Sequence, residues 1–125
     1  MIKLINRHDY TERIAPFINK NIIKVLTGQR RVGKSGILRQ IQEHIESTVP
    51  HCNTMCINKE LEEFAFINTH EELSAYVKEH LKEGCANYLF IDEVQDIKGF
   101  EHTLRSLQAQ DACDIFITGS NATIL

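Results

Sequence analysis

Gly28-Gln29-Arg30-Arg31-Val32-Gly33-Lys34-Ser35 fits the pattern G-x-x-x-x-G-K-[ST] without a gap. Such a loop turns successive backbone N–H groups inward around a phosphate chain, and the helix that follows presents its positive end to the same charge. Lys34 is placed to reach β- and γ-phosphates as a point charge, and the Ser35 hydroxyl to coordinate a bridging Mg²⁺. The pattern fixes only four positions, so its context decides. A strand must precede it and a helix must follow. Ile22-Ile23-Lys24-Val25-Leu26-Thr27 is a β-branched apolar run, and after Ser35 and Gly36 the residues Ile37, Leu38, Ile41 and Ile45 recur at helical spacing until Pro50. The expected nucleotide contacts are therefore residues 28–36, with Gln29, Arg30, Arg31 and Val32 at the variable positions.

Outward from this unit, strands and helices alternate. Thr54-Met55-Cys56-Ile57-Asn58 reads as a second strand, while 61–67 has no clear period. Thr69-His70-Glu71-Glu72 has the form of a capping box, and Leu73, Tyr76, Val77, His80 and Leu81 continue it as an amphipathic helix that Gly84 is expected to end. Tyr88-Leu89-Phe90-Ile91 is a continuous apolar strand. Gly99 and Phe100 open a helix with Leu104 and Leu107 inward, and Asp114-Ile115-Phe116-Ile117-Thr118 is the last strand. On the N-terminal side, Asp9 and Glu12 suggest a short helix with Tyr10, Ile14 and Phe17 on one side, limited by Pro16. Four strands in this alternation imply an α/β fold: a three-layer α/β/α core with a parallel sheet.

The composition agrees with one domain over 1–125. With 125 residues, 42% of them hydrophobic and 25% charged, the chain has enough apolar material for such a core. A formal charge of −3 gives no global attraction to nucleic acid or an anionic membrane. No apolar run is long enough to cross a bilayer, so the chain reads as cytoplasmic. Cys52, Cys56, Cys85 and Cys113 show no C-x-x-C spacing and read as small hydrophobes.

A second chemical signal closes the third of these strands. Leu89-Phe90-Ile91-Asp92-Glu93 ends in two carboxylates, and alternation along the strand makes their side chains diverge. Divergence suits two duties: Asp92 toward the metal, Glu93 toward an attacking water that it would orient and deprotonate. Thr118-Gly119-Ser120-Asn121 places polar groups at the carboxyl end of the last strand, where parallel sheets bind ligands. From there Ser120 or Asn121 would contact the γ-phosphate or the water.

IIKVLTGQRRVGKS, YLFIDEVQDIKGFEHTLRSL and DIFITGSNATIL together resemble the bacterial and archaeal AAA-superfamily ATPases that typically carry a C-terminal domain of unknown function. The resemblance covers essentially the whole chain. It implies binding and hydrolysis of ATP with Mg²⁺, residues 28–35 as the Walker A loop, Asp92 and Glu93 as the Walker B pair, and Ser120 or Asn121 as the sensor-like group. Members of that family continue past the sensor strand, so the chain is expected to be the N-terminal part of a longer protein, coupled to its own C-terminal domain or to a protein partner and open to oligomer formation. Two other functions compete. One is a nucleotide-binding switch with negligible turnover. The other is a superfamily 1 helicase, which D-E-V-Q-D at 92–96 resembles but which the short interval between Ser35 and Asp92 and the absence of a basic, aromatic strip disfavour.

Overall fold

The computed structural model describes residues 2–6, 15–27 and 34–119. Five parallel strands form one sheet: β1 (Ile2–Asn6), β2 (Ile23–Thr27), β3 (Cys52–Asn58), β4 (Ala86–Asp92) and β5 (Asp114–Thr118), in the order β1-β2-β5-β4-β3. Among the described residues three α-helices connect them, α1 (Lys34–Thr48), α2 (His70–His80) and α3 (Phe100–Ala109).

The layers follow from handedness. Parallel crossovers are right-handed, so a connection that moves one way across the sheet passes over one face and a connection that moves back passes over the other. From β2 the chain travels to the far edge at β3; from β3 it returns through β4 to β5. Accordingly, among the described helices, α1 is the one that covers the first face. Its Ile37, Leu38, Ile41 and Ile45 pack with Leu26, Tyr88, Phe90 and Phe116. On the opposite face Leu73 and Val77 of α2 and Phe100, Leu104 and Leu107 of α3 pack against Val25, Ile57, Leu89, Ile91, Ile115 and Ile117. The strand residues alternate between these two clusters, as the pleat requires, and the three-layer α/β/α core expected from the sequence is observed.

Local signals account for most boundaries. Thr69 caps α2 with a capping box completed by Glu72, and burial of Leu73 and Val77 fixes the helix on the sheet. Gly99 opens α3 in the left-handed region, at φ +74°. A Cβ on Gly99 would lie 2.7 Å from the His70 ring, so both backbone and packing demand glycine there.

Three details differ from the sequence reading. The sheet has a fifth strand, since Ile2–Asn6 pairs in parallel with Ile23–Thr27; a five-residue run with weak alternation carries little signal until a partner strand supplies its hydrogen bonds. Helix α2 stops at His80, with Leu81 in an extended C-cap, and Gly84 at φ +82° belongs to the turn before β4. Ala15–Phe17 is a 3-10 turn, as is Glu62–Phe64 within the 61–67 stretch. The expected capping pair Asp9 and Glu12 lies outside the described residues.

Candidate functional site

Connections from β2 and from β4 leave toward opposite faces, so a crevice opens at the carboxyl ends of these strands, with β5 between them. At about 4.8 Å per strand the two tips are on the order of 10 Å apart. Residues 28–33, which join β2 to α1, lie outside the described residues, as do Ser120 and Asn121. Lys34 and Ser35 are the first two residues of α1, and Gly36 is exposed in its first turn, with nothing within 4 Å of where a Cβ would stand.

Asp92 is the last residue of β4, and it shares strand parity with Tyr88 and Phe90, which pack under α1. Its side chain therefore projects on the face that carries the helix with Lys34 and Ser35. It is only 4% exposed. Thr118, the last residue of β5 and fully buried, donates its hydroxyl to Asp92 Oδ1. The same Thr118 oxygen accepts the Glu93 backbone N–H at 3.1 Å. One hydroxyl thus ties two strand tips together and fixes where the carboxylate stands.

Glu93 leaves the strand in the left-handed region, at φ +61° and ψ +54°. For a residue with a side chain this costs about 1–2 kcal/mol, and it persists because Thr118 holds the backbone from one side. Beyond it Val94–Asp96 forms a 3-10 turn, and Gln95 Nε2 donates to Glu93 Oε1 at 2.6 Å. The alternation expected of the two carboxylates does not apply, because β4 ends at Asp92: Asp92 is buried beside α1, while Glu93, in the left-handed region beyond the strand, is half-buried and held by the turn.

A cavity of about 330 Å³ opens beside Asp92, between Leu38, Arg39 and Gln42 of α1 and Cys56 and Phe64 near the β3 edge. Burial and the charge of Glu46 push the Cys56 thiol up to about 11, so it stands there as a neutral hydrophobe rather than a thiolate. Arg105, on α3, is exposed.

The polar tip of β5 expected from the sequence contains Thr118, and this is the group that meets Asp92; Ser120 and Asn121 lie outside the described residues. The signal of Thr118 was its place as the last strand residue, opposite Leu26 on β2, where its side chain shares the α1 face. Gln95 was noticed only as part of D-E-V-Q-D.

Asp92 supplies a hard carboxylate oxygen of the kind Mg²⁺ takes, fixed in direction by Thr118, and this donor fits such an ion. Among the described residues no helix is long and apolar enough to cross a membrane.

An uncharacterized protein of Haemophilus influenzae (strain Rd) is 29% identical over 124 residues, which is 98% of this chain and 31% of that protein. The chain therefore spans about a third of the length of this relative. No solved structure matches the chain. The family model described as an AAA domain matches residues 20–125, from the approach to β2 through the tip of β5, and the chain belongs to this family of nucleotide-binding, AAA-like domains.

Proposed function

We propose that the chain binds a nucleoside triphosphate, ATP by preference, together with Mg²⁺ at the carboxyl edge of the sheet, and hydrolyses it. The observation that supports this most is the joint placing of Asp92 and Thr118 at the tips of β4 and β5, on the face covered by the helix that begins with Lys34 and Ser35. In this reading residues 28–36 cradle the phosphates, Lys34 neutralises the β- and γ-phosphates, and Ser35 and Asp92 hold the metal. Bound Mg²⁺ would draw charge from the phosphate oxygens. Glu93 takes the proton of the attacking water, and Ser120 or Asn121 lies next to the γ-phosphate.

Coupling belongs to the same proposal. The relative is about three times as long as the matched region, and nucleotide state at this edge would be passed to a further segment or a partner. The β5 tip is well suited to that, because Thr118 joins the Asp92 carboxylate to the Glu93 backbone and a shift in one is felt by the other.

Isothermal calorimetry with Mg-ATP and Mg-GTP tests the reading. Saturable heat with Mg-ATP, loss of it in Lys34→Ala, and retention of binding without turnover in Glu93→Gln are expected. No heat with any nucleoside triphosphate overturns it. Binding with turnover unchanged in Glu93→Gln would favour the switch function instead.

A further inference from the structure

Gln95 is the residue of the D-E-V-Q-D stretch that the proposed hydrolysis leaves without a task. Its amide nitrogen donates to Glu93 Oε1 at 2.6 Å, closing a ring over the left-handed turn. Its amide oxygen is buried and meets no hydrogen-bond donor among the described residues. The orientation is chemically forced, since turning the amide over would set its oxygen against the carboxylate. The side chain thus gives one of its two polar ends to Glu93 and leaves the other unmet. An apolar side chain of the same length would carry no such cost.

Glu93 is consequently held at two points. Thr118 fixes its backbone through the N–H, and Gln95 fixes its carboxylate. A general base must face the proton it takes within hydrogen-bond reach, and a carboxylate on two or three free torsions would otherwise sample many directions. We propose that Gln95 is a positioning residue that aims the Glu93 carboxylate, an inference that rests on reading Glu93 as the base of the proposed hydrolysis. It acts through Glu93 and does not itself contact nucleotide. Its unmet oxygen marks a group kept for direction at the expense of stability.

Two measurements on the 125-residue chain test this. In a ¹⁵N-labelled sample the Gln95 side-chain amide, assigned by its disappearance in Gln95→Met, is expected to have one proton shifted downfield by the carboxylate and to lose that shift in Glu93→Ala. If Glu93→Ala leaves the amide signal unmoved, the inference is overturned whatever the chain does with ATP. In steady-state hydrolysis Gln95→Met is expected to lower kcat about 10- to 100-fold with KM unchanged, while the melting temperature stays level or rises because an unmet acceptor has gone. A wild-type kcat in Gln95→Met, or a fall in kcat together with a raised KM and a lower melting temperature, overturns it in favour of a bystander or a purely structural role. Absence of Mg-ATP heat in the wild-type chain would instead defeat the ATPase reading, and the amide signal would still report whether Gln95 holds Glu93.

Discussion

The two ends of the sheet each bury an aspartate on the face that carries α1, and a different group meets each. At the amino end Asp114 opens β5 and meets Lys24 of β2 in a buried ion pair. Asn19 donates its backbone N–H to Asp114 Oδ2 at 2.7 Å, Lys24 Nζ also donates to the Lys20 carbonyl at 3.3 Å, and the ammonium lies 4.6 Å from the centre of the Phe116 ring. At the carboxyl end Asp92 takes the hydroxyl of Thr118 and borders a cavity. The first aspartate is held by the protein's own cation; on the second, Thr118 fixes the direction of one carboxylate oxygen.

Burial drives both partners of the amino-end pair toward their neutral forms. It pulls the Lys24 ammonium down and pushes the Asp114 carboxyl up, each against the attraction of the other. Such a pair adds little over an apolar replacement, yet breaking it strands a buried charge. The contrast is therefore sharpest in a stability experiment. Lys24→Met alone is expected to cost about 3–5 kcal/mol in urea unfolding, and the double variant Lys24→Met, Asp114→Leu to recover most of it. Failure of the double variant to recover would mean that the pair sets strand register rather than merely neutralising itself.

At the other end the expected losses are smaller. Thr118→Val keeps shape but removes the acceptor for the Glu93 N–H and the donor to Asp92, an expected loss of about 1–3 kcal/mol by the same measurement. Gly99→Ala, which brings a Cβ against His70 in a left-handed backbone, is expected to cost about 1–2 kcal/mol and to loosen the junction of α2 and α3. Asp92→Asn retains an oxygen for Thr118 and should change stability by less than about 1 kcal/mol, while Mg-ATP affinity falls about tenfold or more. A stability loss in Asp92→Asn as large as that of Lys24→Met would erase the distinction between the two ends.

The smallest effect concerns the thiols that flank the two ends. Burial pushes Cys113, beside Asp114, up to about 12, and Cys56, beside the cavity, up to about 11. At pH 8 only about one Cys56 in a thousand is thiolate, so iodoacetamide should leave Cys56 and Cys113 unmodified while the partly exposed Cys85 reacts, as peptide mass mapping would record. Rapid alkylation of Cys56 would place it in a wetter cavity than the packing indicates.

Much of this molecule was legible in one dimension. The loop pattern at 28–35, the four apolar runs from β2 to β5 and the capping box at Thr69 each carry their signal within a few neighbouring residues, because hydrophobic period and capping chemistry are local properties. The position of Asp92 at a strand end was equally readable, whereas the left-handed turn at Glu93 that sets the direction of its side chain was not. Strand β1 was not, since its hydrogen bonds depend wholly on β2, some twenty residues away in sequence. Nor was the pairing of Lys24 with Asp114, of Thr118 with Asp92, or the hold of Gln95 on Glu93. Those contacts arise when crossovers bring strand ends from distant parts of the chain into register, and side-chain partners across a sheet are chosen by that register alone. Sequence thus determined which chemical groups the protein owns and roughly where each element starts; tertiary structure decided which group meets each buried aspartate, because strand register sets the neighbours of a strand tip.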